Sequence, residues 1–171
     1  YLKTARRNNK KIEYVCGNGE TFKLDEKFDV ISLNMILEHV DNPGKLLKNC
    51  KKHLNQGGRM IIQVPNANSL TRRIGVLMGV IKSIKDISDK ERNFYGHKRV
   101  YTRETLVKEC RRAGLGFIST GGILFKPLPN DMLWDICKKK GKEWTDSFMK
   151  ALVEIGEYKT EDCADLYIVC V

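Results

Sequence analysis

Lys27-Phe28-Asp29-Val30-Ile31-Ser32-Leu33-Asn34-Met35-Ile36-Leu37-Glu38-His39-Val40 is the stretch on which the fold turns. Residues 28–33 form a short, β-branched, nearly continuous apolar run, the pattern of a strand covered on both faces. Runs of the same kind recur at 12–16, 59–64, 116–120 and 165–171.

Helical patterns separate them. Leu46, Leu47, Cys50 and Leu54 mark one apolar face with lysines opposite; Asn42-Pro43 opens that helix and Gln56-Gly57-Gly58 stops it. Thr102 is the expected N-cap of the next, with Glu104 in its first turn, Leu106, Val107, Cys110 and Ala113 as its buried face, and Gly114 at its close. Strands alternating with helices imply βα units and an α/β fold with a mainly parallel sheet. Two stretches, 65–100 and 126–160, are too long for plain loops. Met132, Leu133 and Ile136, then Phe148, Met149, Leu152 and Val153, have helical spacing, so 126–160 is expected to be a helical insertion within the same domain.

Composition narrows the class. At 171 residues, 42% hydrophobic and 30% charged, the chain is of single-domain size and globular in kind. Its six cysteines, Cys16, Cys50, Cys110, Cys137, Cys163 and Cys170, form no CxxC pair and no Cys/His ligand spacing. They read as free thiols, most of them small buried hydrophobes, which suits the cytoplasm and leaves no metal site visible in the sequence. No apolar run reaches the ~18 residues of a membrane span. The longest, 74–81, is expected to form a lid helix, with a membrane-surface contact behind Arg72 and Arg73 as the alternative. The net charge of +10 invites a nucleic-acid partner, but Lys45, Lys48, Lys51 and Lys52 fall on the polar side of one helix, and the basic clusters lack interleaved aromatics. A solvated basic surface is the simpler reading.

The opening quotation, with its "FDVI" and "LEHV", is similar to the fourth-strand motif of class I S-adenosylmethionine (SAM)-dependent methyltransferases. The likeness continues through Asp41-Asn42-Pro43, Leu54-Asn55-Gln56-Gly57-Gly58 and Ile61-Ile62-Gln63-Val64-Pro65-Asn66, and again from Tyr101-Thr102 to Gly114-Leu115. Asn55 and Gln56 depart from the usual "LKPGG". The resemblance implies a Rossmann-like domain over 1–171, with 66–100 as a lid and substrate loop. It also implies a glycine-rich loop ahead of the second strand, and Cys16-Gly17-Asn18-Gly19-Glu20 is not that loop, because it directly precedes the 28–33 strand and no helix follows it. The sequence opens as if a helix were already under way, and the domain is expected to lack its N-terminal central strands. Residues 12–16 would then have no neighbour, and the 28–33 strand would be exposed at an edge.

The same resemblance suggests the site. Asn18, Gly19 and Glu20 match the loop that contacts adenine, and Asn34 and Met35 the positions lining the cofactor crevice beyond the strand ends. His39 either faces the methyl-bearing end of SAM or caps the next helix. His97, in Tyr95-Gly96-His97-Lys98-Arg99, lies in the loop that this family lays over the substrate; it is either a general base or a lid anchor. Asn66, Asn68, Tyr95 and Arg99 are expected to touch substrate, whereas His53, among lysines, is expected on the surface. The function implied is methyl transfer from SAM to a small-molecule acceptor, most simply an oxygen. The segments 68–75 and 121–127 resemble bacterial methyltransferases associated with surface sugars. The alternatives are an inactive methyltransferase-like subunit and a nucleic-acid methyltransferase.

Overall fold

The computed structural model describes residues 2–171. In chain order the elements are α1 (Leu2–Asn8), β1 (Phe28–Asn34), α2 (Pro43–Lys52), β2 (Leu54–Pro65), α3 (Leu70–Leu77), α4 (Arg103–Arg112), β3 (Phe117–Phe125), α5 (Asn130–Lys140), α6 (Lys142–Tyr158) and β4 (Cys163–Cys170), with a wide helical turn at Glu91–Tyr95 and a 3-10 turn at Thr160–Asp162.

The four strands form one sheet in the order β1-β2-β4-β3. β1 and β2 are parallel, and β4 is antiparallel to both β2 and β3. Three of the four strands therefore run the same way and a single reversed strand lies among them. The parallel, Rossmann-like expectation holds in strand direction, while two of the three pairings are antiparallel. Among the described residues nothing pairs with the outer edge of β1, where Val30 is 55% exposed. The strand expected at 12–16 is absent: that segment has no regular structure, with Ile12 and Val15 both exposed, because no described strand lies beside it.

The helices form where the sequence places them, for reasons visible in their caps. Asn42 Oδ1 accepts from Lys45 N at 2.9 Å and Pro43 follows at the first helical position, so α2 starts there. Its Leu46, Leu47 and Cys50 are buried in the core. Each buried leucine contributes about 1.5–3 kcal/mol, more than the ~1 kcal/mol of a cap, so packing holds α2 and the cap sets only its register. Leu54 is buried but not helical: α2 stops at Lys52 and β2 begins at Leu54, five residues earlier than expected. Gly57 and Gly58 then form an excursion inside β2, since Phe28 pairs with Leu54 but Val30 with Arg59. A Cβ on Gly58 would stand 3.0 Å from the Asn55 carbonyl oxygen and 3.1 Å from that of Phe28, so the backbones meet only at glycine.

Thr102 caps α4 reciprocally with Thr105, and Gly114 ends the turn at φ +80°. β3 runs on to Phe125, beyond the expected 116–120, because Gly121 and Gly122 sit inside the strand, facing Tyr167 and Cys163. The 126–160 insertion is helical as expected. Its buried residues are Leu133, Cys137, Leu152 and Gly156, whereas Met132 and Val153 face outward, so the inward face is narrower than the sequence spacing implied. α6 packs across β3. α3 begins four residues before the expected 74–81 lid helix and ends at Leu77, so only the first half of that stretch is helical, and Leu77, Met78 and Val80 are exposed. No described helix is long and apolar enough to cross a membrane. All six cysteines are free, and all but Cys16 are buried.

Candidate active site at the carboxyl edge of the sheet

β1, β2 and β3 all end at one edge, the edge at which open α/β sheets bind ligands. β1 leaves it through Met35, whose φ of +54° is left-handed, while Met35 N donates to Gln63 O at 3.0 Å. That conformation costs a non-glycine residue about 1–2 kcal/mol and turns the chain across the strand ends.

The segment 37–41 is then stapled to a strap roughly sixty residues away. Lys98 N donates to Glu38 O at 2.8 Å. The Arg99 guanidinium donates to Leu37 O at 2.8 Å, to Asp41 O at 3.3 Å and to Val40 O. Lys98 Nζ pairs with Asp41. The strap is fixed on its other side by Glu91, whose carbonyl accepts from His97 N at 2.9 Å and whose carboxylate takes bonds from Ser88 and Arg72.

Between the two segments lie Glu38, His39 and His97. Glu38 is fully buried, and neither carboxyl oxygen has a hydrogen-bond partner. His39 Nδ1 lies 3.2 Å from Gly96 O; a carbonyl only accepts, so Nδ1 carries the proton. His39 Nε2 is 3.6 Å from Glu38 Oε1. The His97 ring stands edge-on to that of His39 with centroids 5.0 Å apart, and its Nδ1 is buried and unpartnered. Burial pushes the Glu38 carboxyl above its ordinary range, against the pull of the neighbouring His39. Burial, and the neighbouring His39, hold the His97 imidazole below its ordinary value. His97 is therefore neutral at physiological pH and offers a lone pair.

Other expected site residues fall in three places. Asn34 and Met35 lie at the edge itself, and Asn34 Oδ1 accepts from Ser32 Oγ at 2.9 Å. Tyr95, 44% exposed, has its ring 5.7 Å from that of His97. Asn68 is half-buried after β2, and its backbone N–H donates to Asn66 Oδ1 at 2.8 Å. Asn18, Gly19 and Glu20 form a tight turn docked on α2. Asn18 Oδ1 accepts from Glu20 N at 2.8 Å, Glu20 Oε1 accepts from Asn42 N at 3.0 Å, and Gly19 O accepts from Asn49 Nδ2 at 3.2 Å.

Three expectations are corrected. Asn66 is buried, and its side-chain N–H groups donate to Glu161 O and Cys163 O, both at 2.8 Å, so its amide is consumed in joining β2 to β4 and has nothing left for a substrate. Arg99 spends its donors on the carbonyls of 37–41 and positions that segment rather than reaching an acceptor. His53 is buried, not a surface residue: Nε2 accepts from Leu24 N at 3.1 Å, Nδ1 lies 3.0 Å from Asn49 O, and the ring stacks on Phe22.

The sequence reading also passed over Glu38 and Asp165. Asp165 accepts from Gln63 Nε2 at 3.0 Å at the same edge, and burial raises its carboxyl above the ordinary range. A carboxylate opening an otherwise apolar strand was the available signal. For Glu38 the signal was weaker, because His97, the residue that gives it meaning, is 59 positions away.

The residue pattern of the family described as "Methyltransferase domain" matches residues 3–120, and the chain belongs to that family. It is similar to the ubiquinone biosynthesis O-methyltransferase of Idiomarina loihiensis, 28% identical over 77% of this chain and 55% of the relative. It is likewise similar to the enzyme of the same name from Nitrobacter winogradskyi, 26% identical over 72% of this chain and 46% of the relative. The chain thus spans about half the length of the curated relatives it matches. Among solved structures, an S-adenosylmethionine-dependent methyltransferase from Mesorhizobium loti superposes with a TM-score of 0.62 at 13% identity, over 99% of this chain and 74% of that one. A SAM-dependent methyltransferase from Thermotoga maritima, described as a possible histamine N-methyltransferase, gives 0.56 at 22% identity, over 91% of this chain and 61% of that one. These likenesses show the class I methyltransferase fold.

Proposed function

We propose that the protein transfers the methyl group of SAM to a hydroxyl oxygen of a small molecule. The observation that carries this reading is the neutral His97 imidazole, with an unpartnered Nδ1, held beside His39 and Glu38 at the ligand-binding edge of the sheet. Family membership supports the methyl transfer, and the names of the curated relatives favour oxygen as the acceptor atom.

The described residues fit part of the cofactor. Asn34, beside the left-handed Met35, offers an exposed amide at the strand ends, and the 18–20 turn docked on α2 is the segment assigned to adenine in this reading. Among the described residues there is no glycine-rich strand-to-helix turn for the amino-acid end. Bound SAM supplies a methyl carbon activated by a positively charged sulfur. As an acceptor oxygen takes that methyl group, its hydroxyl proton would pass to the imidazole–carboxylate cluster. Arg99 and Gly96 hold that cluster in place, while Tyr95 and Asn68 face the acceptor. Positioning supplies most of the acceleration and proton removal a further ~10²–10⁴-fold.

The test follows S-adenosylhomocysteine release by the whole protein supplied with SAM and a panel of phenolic and sugar hydroxyl acceptors. His97→Ala is expected to lower kcat by about 10²–10⁴-fold while SAM binding, measured by calorimetry, persists. Failure of the protein to bind SAM, or full turnover by His97→Ala, would overturn the reading.

A further inference from the structure

We propose that Glu38, His39 and His97 form a binding site for a divalent transition-metal ion. One ligand atom from each of the three lies within 4.8 Å of the others. A bound first-row ion, with metal–ligand bonds of about 2 Å, brings its ligands to roughly 3–3.5 Å from one another, so the cluster has to draw in by only about 1–2 Å.

Four features of the cluster point the same way. The Glu38 carboxyl is fully buried with both oxygens unpartnered, a costly arrangement for an anion: Arg99 acts on it only through space, its N–H groups bonding the Leu37, Val40 and Asp41 carbonyls. His97 Nδ1 is likewise buried and free. His39 donates Nδ1–H to Gly96 O, the outer-shell bond that fixes a ligating imidazole and leaves Nε2 as the lone-pair donor, here already 3.6 Å from Glu38. Both ligand-bearing segments are held by the Lys98–Glu38 and Arg99 backbone bonds, so the site is preorganised before an ion arrives.

The donor set names the class of ion. Two imidazoles and one carboxylate suit Zn²⁺, Mn²⁺, Co²⁺ or Fe²⁺, and an all-oxygen preference such as that of Ca²⁺ is not met. Three protein ligands leave coordination positions open toward the 36%-exposed side of His39. In the methyl-transfer reading, on which this step rests, those positions take the acceptor oxygen and lower the pKa of its hydroxyl. With an ion bound, His97 Nδ1 holds the ion instead of taking the proton, which then leaves to solvent; without an ion His97 is the proton acceptor, and the Co²⁺ signal tells the two roles apart.

The experiment titrates the chain carrying Cys16→Ser, which removes the exposed thiol, with CoCl₂ and follows the visible absorption of the bound ion. The expected result is saturable one-to-one binding displaced by Zn²⁺, with affinity falling by about a hundredfold or more in Glu38→Gln and in His97→Gln. Far-UV circular dichroism without metal confirms that both variants fold; Glu38→Gln is expected to melt no lower than the parent, since a buried unpaired carboxyl is gone. Absence of saturable Co²⁺ absorption, or affinity unchanged from the parent in both variants, would overturn the site. Because the signal requires no turnover, a protein that binds Co²⁺ yet releases no S-adenosylhomocysteine would defeat only the methyl-transfer reading. Turnover undiminished by a chelator would defeat only the acidifying role of the ion.

Discussion

His39 Nδ1 lies 3.2 Å from the carbonyl oxygen of Gly96, and that one bond orients the imidazole so that Nε2 faces Glu38. The carbonyl points there because Gly96 is left-handed, at φ +73°, closing the turn Glu91–Tyr95. A local backbone preference at one residue thereby sets the geometry of a cluster whose members come from two distant parts of the chain.

Gly96→Ala tests that link. A Cβ would find His39 Nδ1 at 3.9 Å, an ordinary contact, so the penalty is conformational rather than steric. Urea denaturation is expected to show a loss of about 1–2 kcal/mol, and substrate turnover is expected to fall further than that loss explains, because the carbonyl moves away from His39. A stability loss with turnover intact would show that the His39 bond plays no part in the reaction.

Arg99→Lys is expected to be nearly as damaging as Arg99→Ala. The planar guanidinium reaches three carbonyls at once, whereas an ammonium on its flexible stem cannot span Leu37 and Asp41 together. Losing charge-assisted bonds in a half-buried setting costs either variant roughly 2–3 kcal/mol of unfolding free energy, read by urea denaturation. Recovery of wild-type stability by lysine would show that charge alone suffices.

Much of the fold was legible because it depends on local signals. Asn42-Pro43, Thr102 and Gly114 act through their own backbone neighbours, and the apolar runs of β1, β2 and β4 report burial directly. The misreadings have one common cause, long-range partnership. Residues 12–16 carry a strand's composition, but strands need a neighbour. His53 sits in a basic stretch, yet Leu24 and Phe22, some thirty residues earlier, bury it. Asn66 looked like a turn amide at the active edge, and its true partners are Glu161 and Cys163. The Glu38–His39–His97 cluster was hidden for the same reason: its spacing in sequence is that of no metal motif, and only the Arg99 staple brings it together.

Asn66→Asp should therefore behave as a core substitution. Replacing the amide N–H groups by a carboxylate sets an acceptor against two buried carbonyls that now have no donor. Asn66→Ala is expected to lose about 2 kcal/mol, and Asn66→Asp at neutral pH about 3 kcal/mol or more. An Asp variant as stable as the Ala variant would place the side chain in solvent instead.

The acid limb of stability should report on the strap that Glu91 fixes. Burial alone would raise the Glu91 carboxyl, but hydrogen bonds from Ser88 and the charge of Arg72 outweigh it, so the group titrates below its ordinary 4.5. A depressed folded value means that the unfolded chain binds the proton more readily. The contribution of Glu91 is thus fully present above pH 4.5 and is lost as pH falls from there through the folded value. Glu91→Gln removes that limb, and at pH 7 lowers stability by about 1–2 kcal/mol, because Ser88 keeps an acceptor while Arg72 loses its charge partner. Thermal melts of parent and variant from pH 7 down to 3 should accordingly converge as the pH drops. Parallel curves over that range would mean that Glu91 is ionised no more easily in the folded protein than in the unfolded chain, and that Arg72 holds the 80–91 segment through its bonds to the Ile84 and Asp86 carbonyls alone.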